Sequence, residues 1–334
     1  MKILVVDDDD IALAMAKKIL EKDRYEVVLA EDGEVALEIL RRENIQIVIS
    51  DWNMPKLTGI EFCRYLRSSP AIGYIYFILV TSRTSKDDLV QGLTAGADEF
   101  ISKPFEPVEL LVRVRNAERV LALETTSMML FSLAKLAESK DIDTGNHLER
   151  IRAYAQTLAE QVAKDPILYN QIPPHFSSLL YQTSPLHDIG KVGIPDYILL
   201  KPGNLNDEEW KTMKRHAEIG AETLDACLKL NPSAEYLRIA RDIAWAHHER
   251  WDGTGYPRGL KGEEIPLAAR IVALADVFDA LTVKRTYKAA MSHDVARGVI
   301  LEGSGTHFDP MVVQAFLTVE EMFLQIRNNN PEYQ

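Results

Sequence analysis

Five short apolar runs rich in β-branched residues, at positions 3–6, 25–29, 46–50, 76–81 and 99–102, dominate the first hundred residues of this 334-residue chain. Amphipathic stretches separate them, with helical spacing such as Ile11, Ala14, Met15 and Ile19, or Val35, Ile39 and Leu40. Runs that are apolar throughout show no polar face to water, so the pattern predicts a parallel sheet covered by helices on both sides. In such sheets function gathers beyond the carboxyl ends of the strands. After about residue 125 the strand signals stop. Asn206 to Glu209 reads as a capping box. Trp210, Met213, Ala217, Gly220 and Leu224 share one helical face, Ala240, Ile243 and Ala244 another, and Pro266 suits the first turn of a third. The chain is long enough for two domains, and the second is expected to be all-helical.

Lys and Arg total 38 against 50 Asp and Glu, and the acidic excess holds on both sides of residue 120 (16 against 21, then 22 against 29). A basic DNA-reading module is therefore disfavoured in either part. Cys63 and Cys227 have no metal or redox spacing and are expected as buried thiols of a reducing compartment. The apolar start is too short for a signal peptide, and no run approaches a transmembrane span. A cytoplasmic protein without membrane insertion is expected.

The strand ends hold Asp7 and Asp8, Asp51, Thr81, and Lys103 followed by Pro104. Converging carboxylates repel unless a hard divalent cation sits among them. A cation, a carboxylate nucleophile, a hydroxyl and a lysine together can accept a phosphoryl group. Asp9 and Asp10 read instead as solvated or helix-capping residues. The segments VVDDDD, SDWNMPKLTG, LVTS and GADEFISKPF resemble response-regulator receiver domains, whose fold is a flavodoxin-like (βα)5 α/β sandwich. That resemblance implies Asp51 as phosphoacceptor, with Mg²⁺ held by Asp7, Asp8, Asp51 and the Asn53 backbone carbonyl. It also implies Thr81, Phe100 and Lys103 as the switch. Phe100 lacks the hydroxyl of the commoner Tyr, so switching there rests on ring packing.

From residue 108 to about 140 no turn signal occurs, and Leu110, Val114, Ala117, Leu121 and Met128 recur along it, interrupted by the polar Glu124. A single helical rod is expected. It serves either as a coiled-coil dimer seam transmitting phosphorylation state or as a helix packed on its own chain.

In the second half, histidines extend apolar stripes. His147 precedes Ile151 by four residues, His216 precedes Gly220 by four, and His247 and His248 follow Ile243 and Ala244 by four each. His187 and Asp188 are adjacent, and Asp276 interrupts the apolar run 271–275. Burying five imidazoles and two acids without compensation would be severely destabilising, whereas a metal cluster satisfies them together. Two nearby metals acidify a bridging water and clamp phosphate, so phosphodiester hydrolysis is the expected chemistry.

HDIGK at 187–191, HHERWDGTGYP at 247–257 and ADVFDALT at 275–282 resemble HD-GYP domains, over about residues 125–320. The resemblance implies hydrolysis of cyclic di-GMP to pGpG, GMP or both, with His187, Asp188 and Lys191 central to catalysis. Implied metal ligands are His147, His187, Asp188, His216, His247, His248 and Asp276, holding iron or manganese, with nickel and zinc as other choices. Lys191, Arg285 and Lys288 would hold substrate phosphates, and Gly255, Tyr256 and Pro257 would shape the substrate site. Asp143 stands where a three-metal subgroup offers Glu, making it a third-metal candidate. A fresh helix cap formed by Asn146 and Glu149 would instead turn it outward. His175 reads as a loop residue, His293 as lying near a helix start and His307 as structural. Asp279 reads as support for a ligand or a buried hydrogen bond.

The expected layout is a receiver at 1–120, a helical linker at 121–140 and an all-α HD-type domain at 141–334. The expected function is a response regulator and cyclic di-GMP phosphodiesterase, fed by a sensor histidine kinase or phosphorelay protein and possible as a homodimer through the linker. Rivals are a catalytically weak sensor with structural metals and a general HD nucleotide phosphohydrolase.

Overall fold

The computed structural model describes residues 1–69, 73–82, 85–140, 146–165, 172–173, 175–283 and 290–331. The chain divides into two compact units, Met1–Thr126 and Ser127–Gln334.

The first unit carries a five-stranded parallel sheet of order β2-β1-β3-β4-β5, built from β1 (Lys2–Val6), β2 (Glu26–Ala30), β3 (Ile47–Asp51), β4 (Tyr76–Thr81) and β5 (Glu99–Ser102). Helices α1 (Asp10–Lys22), α2 (Gly33–Arg42), α3 (Gly59–Ser68), α4 (Lys86–Thr94) and α5 (Pro107–Glu138) follow the strands in turn. Each strand lies within a residue of its sequence expectation. Strand side chains alternate between two cores. Leu4, Val6, Val48, Phe77 and Leu79 pack with Ile60 and Phe62 of α3. Ile3, Val5, Ile47, Ile49, Ile78 and Val80 pack with Leu13 and Leu20 of α1 and with Leu110, Val114, Ala117 and Leu121 of α5.

That last group decides between the two readings of the long helix for its first half. Four of the five stripe residues are core of their own unit and so unavailable to a dimer seam, whereas Met128 is 71% exposed. The window of α5 with mean hydropathy 1.4 is mostly exposed, and by length and composition alone α5 could cross a membrane. The expectation that no run approaches such a span is corrected to that extent. A second correction concerns the cysteines: Cys63 is buried, but Cys227 is exposed.

Asp9 caps α1 by accepting a hydrogen bond from the Ile11 amide (2.8 Å). Asp32 caps α2, accepting from the amides of Glu34 and Val35 (both 2.9 Å), and pairs with Lys56. Its hydrogen bond to Lys56, followed by that from Val35, holds the carboxyl below its ordinary value of 3.8. A carboxyl depressed in the folded state contributes stability above its unfolded pKa and loses it as pH falls through the folded one. Asp32→Ala is therefore expected to lower unfolding free energy by about 1–2 kcal/mol at pH 7. The deficit should shrink in urea titrations repeated near pH 3; an equal deficit at both pH values would contradict it.

The second unit is helical: α6 (His147–Val162), α7 (Phe176–Thr183), α8 (Asp196–Leu199), α9 (Asp207–Leu230), α10 (Glu235–Ala246), α11 (Leu267–Thr282), α12 (His293–Glu302) and α13 (Pro310–Asn329). Short 3₁₀ turns and an isolated bridge between Ser304 and Phe308 are its other regular features among the described residues. The capping box at Asn206 and Glu209 forms. Trp210 departs from its expected inward face and is exposed, being in the first turn of α9. Pro266 takes the N-cap position of α11 instead of its first turn. Tyr154, Phe278, Phe316 and Phe323 form an aromatic core, with Tyr154 stacked on Phe323 at 4.4 Å.

Candidate functional site

At the carboxyl ends of β3 and β1, Asp51 and Asp7 are buried and both meet Lys103, whose Nζ lies 2.5 Å from Asp51 Oδ1 and 2.7 Å from Asp7 Oδ2. The Asn53 amide donates to Asp51 Oδ2 (2.8 Å). Burial raises the Asp51 carboxyl above its ordinary value, and Lys103 only partly offsets this. Thr81 is buried at the end of β4, and Phe100 meets Trp52 edge-on at 5.9 Å. Asp8 is exposed beside Asp7. The receiver acids thus converge on a lysine, whereas the two metal-like groups of three or more donors among the described residues lie in the second unit.

Those groups are Asp188 with His216, His247 and His248, and His147 with His187 and Asp276; within each, the donor atoms lie within 4.8 Å of one another. His187 and Asp188 sit at the junction of two 3₁₀ turns, His216 on α9, His247 and His248 just after α10, Asp276 on α11 and His147 at the start of α6. The sequence separates these residues by up to 129 positions from His147 to Asp276, and folding brings all seven together.

Hydrogen bonds behind the rings aim their free nitrogens inward. His187 Nδ1 donates to the Ser184 carbonyl (2.9 Å), His216 Nδ1 to Met213 (2.8 Å) and His247 Nδ1 to Ile243 (3.0 Å). A carbonyl can only accept, so each neutral ring keeps its proton on Nδ1 and presents a lone pair at Nε2. The Nε2 atoms of His216 and His247 consequently face each other at 3.5 Å. His187 Nε2 and Asp188 Oδ1 are buried without a hydrogen-bond partner. Opposed lone pairs and orphaned acceptors are what a cation satisfies, so this donor set fits divalent transition ions.

Asp188 faces both groups. Its Oδ1 lies 3.2 Å from His216 Nε2 and 3.6 Å from His247 Nε2, while Oδ2 lies 3.4 Å from His187 Nε2 and 2.9 Å from Lys191 Nζ. Burial opposes its ionisation, but Lys191 and His187 outweigh that and hold the carboxyl well below its ordinary value. Burial also lowers His187, yet Asp188 and Asp276 overcome it and raise the ring to about 9, so without a cation Nε2 holds a proton that a bound metal would displace. Burial lowers His216 to about 4, with Asp188 opposing.

The family model described as HD domain matches residues 132–312, and that described as response regulator receiver domain matches residues 3–115. The chain belongs to the HD domain family. A "Probable cyclic di-GMP phosphodiesterase" of Vibrio cholerae serotype O1 is 40% identical over 348 residues, covering 97% of this chain and 79% of that one. A "Cyclic di-GMP phosphodiesterase" of Thermotoga maritima is 34% identical over 351 residues, covering 96% and 91%. The "Cyclic di-GMP phosphodiesterase response regulator RpfG" of Xanthomonas campestris pv. campestris is 35% identical over 351 residues, covering 98% and 89%.

Around the HD pair the structure adds residues that sequence reasoning missed. Glu249, buried beside the two histidines, accepts hydrogen bonds from the amides of Arg258 (2.7 Å) and Leu260 (3.1 Å). It thereby ties down the loop of Gly255, Tyr256 and Pro257, and Tyr256 stacks on His248 at 4.7 Å. Glu138 is raised by burial, an effect opposed by His147, His187 and Lys191, which places a further acid in the field of the cluster. Arg150 follows His147 on the same inward face; a charge interrupting that apolar stripe was the available signal. Asn146 occupies the N-cap position of α6 but makes no side-chain cap, donating instead to the Pro331 carbonyl (2.7 Å). The expected Asn146–Glu149 cap is corrected accordingly. His307 stacks on Phe308 at 4.2 Å, in keeping with a structural reading, and His293 begins α12. Asp143, Arg285 and Lys288 lie outside the described residues.

One close approach sets the spacing of the cluster. A Cβ at Gly190 would stand 2.0 Å from the His216 carbonyl oxygen and 2.5 Å from the Gly220 nitrogen. Gly190→Ala must push α9 away from the HD pair, destabilising the protein by about 1–3 kcal/mol or more. Lower melting temperature together with weaker uptake of divalent ions is expected; wild-type values for both would show that this contact does not position His216.

Proposed function

We propose that the chain is a response regulator whose helical unit hydrolyses cyclic di-GMP to pGpG, GMP or both, under control of phosphorylation at Asp51. The observation that carries the reading is Asp188, one oxygen of which faces His216 and His247 while the other faces His187 and Lys191. A carboxylate placed between two imidazole groups suits a centre of two divalent ions, one held by His147, His187 and Asp276, the other by His216, His247 and His248, with Asp188 shared. Asp143 is the candidate ligand for a third. Iron or manganese suits these donors, as do nickel and zinc. Such ions, when bound, acidify water and neutralise charge on phosphate oxygens.

The chain's own residues do the rest. Lys191 is poised beside Asp188 to donate hydrogen bonds to a non-bridging phosphate oxygen, and Arg285 and Lys288 are proposed to share that charge. Tyr256, fixed against His248, walls one side of the substrate site. Hydrolysis adds water at phosphorus, breaks one P–O ester bond and returns a proton to the departing ribose oxygen. In the receiver, Asp51 is the proposed nucleophile toward a phosphoryl group delivered by a sensor kinase or phosphorelay protein. Mg²⁺ would be held by Asp7, Asp8, Asp51 and the Asn53 carbonyl, with Thr81, Phe100 and Lys103 reading the result. Exposed Met129, Leu133 and Leu136, at helical spacing on α5, support self-association through that helix.

Protein loaded with Fe²⁺ or Mn²⁺ is expected to convert cyclic di-GMP, and His187→Ala with Asp188→Ala to reduce the rate by about 100-fold or more, since metal stabilisation supplies several kcal/mol. Substrate bound but left intact under every ion and phosphorylation state would favour the sensor; equal turnover of ordinary nucleotides would favour a general phosphohydrolase. For the receiver, a small-molecule phosphodonor should change the wild-type rate and leave Asp51→Asn unchanged. A response that persists in Asp51→Asn would place control elsewhere.

A further inference from the structure

His147 is held differently from the other rings of the cluster. The Nδ1 atoms of His187, His216 and His247 bond to backbone carbonyls three or four residues upstream, so their own helical turns orient them. His147 is the first residue of α6. Its Nδ1 instead meets Asp279 Oδ2, on α11, at 2.7 Å. Asp279 lies three residues beyond Asp276 on the same helix, whose Oδ1 is 3.7 Å from His147 Nε2. Two carboxylates on one helical face thus bracket the ring, one on each nitrogen.

Behind Asp279 stands Arg150, fully buried. Its Nε reaches Asp279 Oδ1 at 2.6 Å and one terminal nitrogen reaches Oδ2 at 3.0 Å, while the other donates to the Asn330 carbonyl just past α13 (3.0 Å). Arginine is a donor only, so the forked contact forces both Asp279 oxygens to accept. An accepting Oδ2 in turn requires the proton of His147 to sit on Nδ1, leaving Nε2 as the free donor atom. The chain of hydrogen bonds therefore runs from the end of α13, through α6 and α11, to one nitrogen of the cluster.

We infer that Arg150 and Asp279 are positioning residues for one half of the metal centre: occupancy at His147, His187 and Asp276 depends on them, whereas the group of Asp188, His216, His247 and His248 does not. This inference rests on the reading that the cluster holds two divalent ions. Asp279→Asn tests it with little change in size. With Arg150 donating to both oxygens, the amide NH₂ opposes an Arg150 N–H in either orientation, and in one of them it also faces His147 Nδ1, which moves the ring proton to Nε2 and blocks that atom. Arg150→Lys keeps the charge but removes the fork.

The experiment loads full-length protein with Mn²⁺ under excess Mg²⁺, which keeps Mn²⁺ off the receiver acids, desalts it, counts Mn²⁺ per chain by plasma mass spectrometry and records electron paramagnetic resonance. Wild type should hold two ions with a spin-coupled signal. Each variant should hold one, with the six-line spectrum of isolated Mn²⁺, the second ion being bound about 10- to 100-fold more weakly. The retained ion is itself evidence of a folded unit. Two retained ions with a coupled spectrum would overturn the inference, and so would loss of both together, since the halves would then not be held separately. Wild type binding no Mn²⁺ would instead sink the metal-centre reading beneath it.

Discussion

A carboxylate enclosed among imidazoles is the constraint around which the helical unit is arranged. Burial opposes the charge of Asp188, and Lys191, 2.9 Å away, is the first of the groups that hold its carboxyl well below the ordinary value. An enclosed charge of this kind tolerates little displacement, because each ångström lost from its partners is lost at low dielectric. The backbone is built to that tolerance. Gly190 lets the HD segment touch α9 at the carbonyl of His216, and Gly220, one turn further on, meets Gly190 on one side and Ala244 of α10 on the other. Small residues at the crossing bring the segments of His187, His216 and His247 close enough for their ring nitrogens to converge; any larger side chain there would separate them.

The receiver solves a related problem with the opposite economy. Asp7 and Asp51 are brought together at adjacent strand ends by register, Val6 pairing with Ser50, and Lys103 from beyond β5 bridges them directly. Repulsion between the acids is met by a side chain already in the fold, so the pair is balanced by the chain itself. The helical cluster has far more donors than cations, and its ring nitrogens oppose one another. One site is neutralised from within; the other calls for ions from outside.

Much of this was legible in the sequence because burial and charge conflict visibly there. Apolar strands ending in acids mark β1 and β3, and histidines extending apolar stripes mark His216, His247 and His248. What escaped was tertiary. Leu110 to Leu121 have the spacing of a dimer seam, and only packing shows that they fill the sheet's second core. Trp210 matches the face of Met213 and Ala217 by period, yet it stands in the first turn of α9, beyond the layer that would cover it. Asn146 and Glu149 satisfy the pattern of a cap, but a carbonyl from the far end of the chain competes for the asparagine. Local propensity could not weigh a partner 185 positions away.

The same backbone that carries His247 and His248 also shapes the neighbouring loop. His248 accepts a hydrogen bond from the Tyr256 amide (3.2 Å), Glu249 receives those of Arg258 and Leu260, and a Cβ at Gly255 would come within 2.5 Å of the Glu249 Cα. The loop is thus folded directly onto the peptide units that follow His247. Tyr256 stacks on His248, and Lys214 Nζ of α9 lies 4.9 Å from the centroid of the Tyr256 ring. A force that displaces this loop therefore acts on His248 through its neighbour's backbone and through its ring at once. Loop shape and the placement of His248 share one mechanical element, so neither can be changed independently of the other.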